Sequence, residues 1–239
     1  MADSGLREKR LDKQNKKLEN LANQMYRKCL LRNGYKTNDN NWFIAKGGFG
    51  SVFRVERNDN RYACKIISNV MHKMNSQQKN INNNVLNTTK MRSRFYNEVN
   101  IMDRVSQHEN IVTLIDYFEN DCSLNNDNDC DTTDKSAGDE IDQPQPQPLF
   151  KCCFIIMEYA NSQTLSHYLK KYRKLSENIS RSIFTDMISA VRYLHGQRIV
   201  HRDIKLSNML LHRSTNNHHR QTFNFKVKLC DFGLTNISD

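Results

Sequence analysis

The run His201-Arg202-Asp203-Ile204-Lys205-Leu206-Ser207-Asn208 brings an imidazole, a carboxylate, an ammonium and a carboxamide into one short, turn-rich loop. An Asp held in such a loop can orient a hydroxyl and accept its proton. A Lys two residues on can neutralise charge on a phosphoryl group in flight. An Asn three further on offers a hard oxygen to Mg2+. Downstream, Asp231-Phe232-Gly233 follows the strand-like Val227-Lys228-Leu229-Cys230, which puts a second carboxylate at a strand end where it can hold a second metal position. Upstream, Ala45-Lys46-Gly47-Gly48-Phe49-Gly50-Ser51-Val52 is a glycine cluster. Glycines let backbone N–H groups approach phosphate oxygens with no side chain in between, although the same cluster also suits a merely flexible hairpin. Lys65 sits in the apolar run Ala63-Cys64-Lys65-Ile66-Ile67. An ammonium there is costly unless it meets an anion, the alternative being a strand lysine that reaches back to solvent. Glu98 is a candidate partner for it.

These residues need elements to hold them. Trp42-Phe43-Ile44 leads into the glycines, Ser51 to Val55 alternates like a strand, Asn58-Asp59-Asn60 signals a turn, and Tyr62 to Ile67 reads as a second strand. The spacing of Phe95, Val99, Met102 and Val105 predicts a helix over Arg94 to Ser106. Ile111 to Phe118 and Phe154 to Met157 read as strands, with Glu158-Tyr159-Ala160 as a hinge. Helices are expected over 164–173 and 178–196, the second announced by Ser176 and carrying Ile179, Ile183, Met187, Val191 and Leu194 at steps of three and four. Met209-Leu210-Leu211 and Val227 to Cys230 read as short strands around a polar loop. That loop holds His212, His218 and His219, a set that suits a metal or a plain solvated loop.

Composition marks off the rest. Residues 1–40 are polar and basic, and Leu11, Leu18, Leu21 and Met25 fall at heptad-like spacing, so 6–31 is expected to be an amphipathic helix packed loosely on the domain. Residues 68–92 are rich in Asn, Lys and Gln and read as an inserted loop. A second insert, 119–148, holds nine acidic residues against one Lys between Glu119 and Asp142, then all three prolines of the chain. Such a composition predicts disorder with a stiff, extended exit.

The totals exclude several classes. The formal charge of +10 over 239 residues can serve phosphate-bearing ligands, but no aromatic-rich basic stripe argues for nucleic acid. Seven scattered cysteines with no C-x-x-C pair match neither a disulfide framework nor a structural zinc site. The N-terminus lacks the apolar core of a signal peptide, and no apolar stretch approaches the roughly 20 residues needed to span a bilayer. An intracellular, cytoplasmic or nuclear protein with reduced thiols and no membrane partner is expected.

The ordered set of motifs resembles the protein kinase superfamily over about residues 41–237. The resemblance implies an α+β fold: an antiparallel small lobe with one helix, spanning 41–160 to the hinge with inserts 68–92 and 119–148, and a mainly helical large lobe over 161–239. It implies ATP and Mg2+ as ligands. Gly47 and Gly50 match the second and third glycines of the phosphate loop, with Gly48 and Phe49 between them and Ala45 in place of the first. Lys65 matches the lysine that contacts the α- and β-phosphates, and Glu98 its helix partner. Met157 matches the residue at the back of the adenine pocket, Glu158 and Ala160 match hinge positions, and Ile44, Val52, Ala63 and Leu210 match its apolar walls. Asp203 matches the catalytic base, Lys205 the phosphate-contacting lysine, and Asn208 and Asp231 the metal ligands.

Lys205 within Asp-Ile-Lys-Leu-Ser-Asn is similar to the Ser/Thr-specific branch. The insert before the hinge strand is similar to that of the kinases of translation initiation factor 2, and Arg181 to Leu211 is equally similar to calmodulin-dependent-kinase-like enzymes. The resemblance stops at Asp239, six residues after Gly233, short of the family's activation segment and Ala-Pro-Glu motif. The large lobe is therefore expected to be incomplete, leaving part of the 178–196 helix uncovered. Two functions follow: a kinase acting on a protein substrate, or a kinase-like module that binds nucleotide or a partner protein with little turnover.

Overall fold

The protein is described from a computed structural model, which covers residues 2–38, 42–48, 50–68, 81–122, 150–213 and 225–237. Its centre is a five-stranded antiparallel sheet in the order β1-β2-β3-β5-β4, built from β1 (Phe43–Lys46), β2 (Ser51–Arg57), β3 (Asn60–Ser68), β4 (Leu114–Cys122) and β5 (Phe150–Glu158). Asn58 and Asp59, both at positive φ, close the β2–β3 turn, as residue types that tolerate the left-handed region should. Side chains alternate across a strand, so each strand feeds two cores. Phe53, Val55, Cys64, Ile66, Cys152, Phe154 and Ile156 enter the upper core, while Ala63, Ile67, Cys153, Ile155 and Met157 enter the lower one.

The upper face is covered by α1 (Ala2–Arg32). Ala22, Met25, Tyr26, Cys29 and Leu30 repeat at the helical period and are all buried there, together with Tyr35 and Trp42. Lys36 then bridges to Glu56 of β2, and the Tyr35 hydroxyl donates to Asp116 of β4 while accepting from Arg57. The expectation of a loosely packed extension is thereby corrected: residues 22–36 are part of the small lobe's core.

The lower face packs on α2 (Ile81–Val105), through Met91, Phe95, Val99 and Met102. This helix begins thirteen residues before Arg94, inside the stretch read as an inserted loop. The first insert is thus shorter than expected, with residues 69–80 outside the described set. The second insert is also shorter at its start, because β4 runs on to Cys122; residues 123–149 lie outside the described residues, as do Phe49, His218 and His219.

Below the hinge come α3 (Leu165–Tyr172) and α4 (Glu177–Gly196), capped by Thr164 and Ser176, whose hydroxyls accept from His167 N and Ile179 N. Two short antiparallel pairs complete the lobe: β6 (Ile199–Val200) with β9 (Asn236–Ile237), and β7 (Met209–Arg213) with β8 (Phe225–Leu229). The lobes are joined by the stretch after α2, where Val112 N donates to Leu229 O, Leu229 N to Asn110 O, and Asn110 Nδ2 to Val227 O. On α4 the expected stripe turns inward, with Ile183, Met187 and Leu194 buried; Phe184 and Ile188 are the exposed apolar residues instead, beside Ile204 and Leu206. Among the described residues no helix is long and apolar enough to cross a membrane.

Candidate active site

Period-2 alternation places Lys65 between Cys64 and Ile66, which point up, so its ammonium points down toward α2. There it meets Glu98 at 2.7 and 2.9 Å and Asp231 at 2.7 Å. Lys65 and Glu98 are almost wholly buried, with side-chain exposures of 8% and 2%. Burial opposes the lysine's charge, but the carboxylates of Glu98 and Asp231 outweigh it and hold the ammonium above its ordinary value. Of the two sequence readings, the anion partner holds and the solvent-reaching lysine does not.

Asp231 follows β8 with φ 67°, a left-handed conformation that a non-glycine residue adopts at a cost of about 1–2 kcal/mol. This aims its carboxylate back at Lys65 while Phe232 is fully buried below α2. The Phe232 ring stands edge-on to His201 at 5.0 Å. His201 accepts from Asp203 N at its Nδ1, so its Nε2 carries the proton and donates to Cys230 O at 3.1 Å. Burial pushes the imidazole below its ordinary value, which keeps it neutral in this role.

Asp203 Oδ2 accepts from Lys205 Nζ at 2.7 Å and from Asn208 Nδ2 at 2.9 Å. The hydrogen bond from Lys205 lowers the Asp203 carboxyl below its ordinary value, so it stands ionised. Asn208 is buried, and its amide nitrogen is committed to Asp203, leaving the carbonyl oxygen as its other polar atom.

On the roof, a Cβ at Gly50 would collide with the carbonyl oxygen of Ile66, so only glycine fits; at Gly48 nothing approaches within 4 Å. A cavity of about 620 Å³ runs from Gly47, Gly48 and Gly50 past Glu98 and Gly233 to Tyr26 of α1. It touches the phosphate side of the expected set but not Met157, Ala160 or Leu210. Strand register sets Val52 beside Lys65 and Ala63 beside Met157. Ala63, Met157 and Ala160 are buried, Val52 and Leu210 half-buried, and Ile44 is exposed.

Glu158 is more than a hinge position. Its Oε1 accepts from Thr113 N, Thr113 Oγ1 and Lys228 Nζ, at 2.8, 3.1 and 2.8 Å. This largely buried clasp ties the hinge to β8 and was not foreseen. The signal was available, since Lys228 alternates with the apolar residues of a strand, just as Lys65 does. Among the described residues no group of three or more His, Cys, Asp or Glu side chains could hold a metal by itself.

The family model for the protein kinase domain matches residues 40–238. The chain belongs to the protein kinase family. Its small-lobe helix α1 lies outside the matched stretch. The chain is 41% identical over 83 residues to the human NUAK family SNF1-like kinase 2, covering 35% of this chain and 12% of that protein. It is 29% identical over 195 residues to the probable serine/threonine-protein kinase PLK of Dictyostelium discoideum, covering 81% of this chain and 14% of that one. Against the carbon catabolite-derepressing protein kinase of Candida glabrata it is 31% identical over 157 residues, or 66% of this chain and 19% of the relative. The chain thus spans less than a fifth of the length of these relatives.

Proposed function

We propose that this chain carries the nucleotide site and catalytic loop of a serine/threonine kinase that transfers the γ-phosphoryl of Mg2+–ATP to a protein hydroxyl. The observation that supports it most is the meeting of Lys65, Glu98 and Asp231, the first two almost wholly buried, while Lys205 and Asn208 both bind Asp203 in the catalytic loop.

The residues fit the nucleotide and its metal. Asp231 and Asn208 offer one carboxylate and one amide oxygen, a small set of hard ligands of the kind Mg2+ takes beside phosphates and water. Gly50, which admits no Cβ because the Ile66 carbonyl of β3 lies against it, seats the glycine loop tightly on the sheet, and the loop's backbone N–H groups would meet the phosphates. Mg2+, when bound, offsets charge on the phosphates of ATP. Lys65 would hold the α- and β-phosphates, with Glu98 fixing the direction of its ammonium. Asp203 would orient the substrate hydroxyl and take its proton, and its low pKa suits orientation more than strong basicity. Lys205, already hydrogen-bonded to that carboxylate, would sit where charge develops on the phosphoryl oxygens. Ile44, Val52, Ala63 and Leu210 would wall the adenine, Met157 would stand at the back of its pocket, and the backbone at Glu158 and Ala160 would meet its edge. The protein substrate is the partner this reading requires.

The test is calorimetric ATP binding to the full chain, with and without Mg2+, for the wild type and Lys65→Ala, and a Ser/Thr peptide assay with Asp203→Asn as control. A charge-assisted bond contributes about 1.5–3 kcal/mol, so Lys65→Ala should weaken ATP binding by more than tenfold. Equal affinity in the two chains would refute the nucleotide site, and turnover that survives Asp203→Asn would refute the assigned base.

A further inference from the structure

The cavity of about 620 Å³ beside the glycine loop extends onto the face of the sheet opposite the residues set against adenine. Alternation sends Phe53 and Ile66 up, into the core under α1, and both line it. Ala22, Asn23 and Tyr26 of α1 form the facing wall. None of Ile44, Val52, Ala63, Met157 and Leu210 lines it, and no described residue of β4 or β5 does. It meets the nucleotide side at Gly47, Gly48, Gly50 and Glu98. Because α1 lies outside residues 40–238, one wall belongs to this chain's own extension and has no counterpart in the matched kinase domain.

The size falls within the roughly 300–1,000 Å³ of small-molecule pockets, and the lining sorts by polarity. Inside are the buried side chains of Ala22, Tyr26, Phe53 and Ile66. Phe43 also lines the cavity, edge-on to Phe53 at 5.7 Å, yet is 52% exposed, an aromatic surface that a ligand would cover. Around the interior stand three exposed cations from two elements, Lys46 of β1 and Lys90 and Arg94 of α2. Lys46 and Lys90 make no ion pair with a described carboxylate, and of the two acids that line the cavity, Glu19 and Glu98, the second is spent on Lys65. An apolar interior with a cationic rim fits a molecule that is apolar at one end and anionic at the other. We propose that the space between α1 and the glycine loop is a second binding site. It takes a small amphipathic anion whose apolar body lies on Phe53 and Ile66 under α1 and whose carboxylate or phosphate head meets Lys46 and Lys90. The adenine walls lie on the other face of the sheet, so this ligand and ATP bind together.

Trp42 is the chain's single tryptophan, is buried, and stacks on Phe53 at 4.1 Å, so its emission reports on this cavity. The full chain is titrated with decanoate and with decyl phosphate, which share a body and differ in head, below their micelle concentrations. Decanol and inorganic phosphate serve as the body and the head alone. The amphiphile with the preferred head should shift Trp42 emission saturably, with matching calorimetric heat, and do so equally under saturating Mg2+–ATP. Decanol and inorganic phosphate should each bind at least about tenfold more weakly. Lys46→Ala and Lys90→Ala should each weaken the amphiphile about three- to tenfold, because charge-assisted bonds at an exposed rim are screened. Asn23→Phe, which fills the gap between α1 and Phe53, should abolish the shift; the two lysine variants, on exposed side chains, keep the test decisive if that chain does not fold. No saturable shift and no heat from either amphiphile would overturn the site. Competition with ATP would do the same, because it would make the cavity part of the nucleotide cleft. Binding that ignores all three substitutions would also overturn it, placing the amphiphile on another apolar surface such as that around Phe184 and Ile188. If the wild-type chain binds no ATP, the kinase reading fails, and the amphiphile titrations alone decide the second site.

Discussion

The two faces of the five-stranded sheet use the same strands for opposite ends. The lower face holds an ammonium between two carboxylates, a left-handed aspartate and the donors of the catalytic loop. The upper face, one residue out of phase on each strand, is almost wholly apolar: Phe53, Val55, Ile66, Phe154 and Ile156 under α1, with Cys29, Cys64 and Cys152 filling between them. Burial pushes the Cys64 thiol far up, so it packs as a small hydrophobe. The lower face therefore sets polar groups that must all be satisfied into its own apolar core under α2, and the upper face supplies a second close-packed core under α1 that helps keep the strands in register. A register slip of one residue would exchange the two faces and put Lys65 under α1.

This division predicts that upper-face changes cost stability first. Phe154 is fully buried, stacks on Phe118 at 4.8 Å and meets Tyr26 edge-on at 6.5 Å. Phe154→Ala should lower the unfolding free energy by about 3–5 kcal/mol, a large part of the roughly 5–15 kcal/mol a domain has. Urea titration measures this, and ATP affinity per folded molecule should be unchanged. A loss of affinity without a loss of stability would break the division.

The lower face should respond through charge. Lys65→Met leaves Glu98 buried without its partner and is expected to cost about 3 kcal/mol of stability. Adding Glu98→Leu should restore most of it, since an apolar pair tolerates that site, yet ATP binding should stay lost. Stability that returns without affinity would separate the two faces cleanly in one pair of urea and calorimetry experiments.

Acid should act away from the upper face, through His201 and His108, both held below their ordinary value by burial. The folded-state pKa of His201 is held below its ordinary value by burial, so the unfolded chain takes up the proton first. Its contribution is whole above about pH 6.5, the ordinary value for histidine, and is lost as pH falls from there through the depressed value. Urea midpoints should therefore drop on acidification below about 6.5, less steeply in His201→Asn. Phe154→Leu should move the whole curve down without changing that slope.

The faces also differ in how much of them is legible. Lys65, Asp203, Asn208 and Asp231 stand out because unlike chemical groups recur at fixed spacing, and the strands beneath them alternate plainly. The cover of the upper face was harder to read. Its contact stripe is Ala22, Met25, Tyr26, Cys29 and Leu30; of the residues picked out by heptad-like spacing only Met25 belongs to it, while Leu11, Leu18 and Leu21 lie before it. The early start of α2 was hidden for a related reason: Asn82, Asn83, Asn84 and Asn87 have low helix propensity, and the segment is carried by propagation from the anchored half beyond Met91. In the Glu158–Lys228–Thr113 clasp the sequence marks Lys228 as a lysine among strand apolars, but its partners needed tertiary structure, because nothing local pairs residues so far apart.

The smallest expected effect tests whether the two faces communicate. The Tyr26 hydroxyl of α1 hydrogen-bonds the hydroxyl of Ser68, three residues after Lys65 on β3. Tyr26→Phe keeps the ring contacts with Phe53 and Phe154 and removes that bond. A neutral hydrogen bond contributes about 0.5–1.5 kcal/mol, so the unfolding midpoint should fall slightly. If α1 is only a cover, Mg2+–ATP affinity stays within error of the wild type, because the strand is still held by its neighbours β2 and β5 through every residue from Tyr62 to Ile66. If affinity falls as well, the end of β3 is being set from above, and α1 becomes part of the nucleotide site's control. Ser68→Ala should give the same result as Tyr26→Phe, and the double variant no more than either, because all three remove one bond.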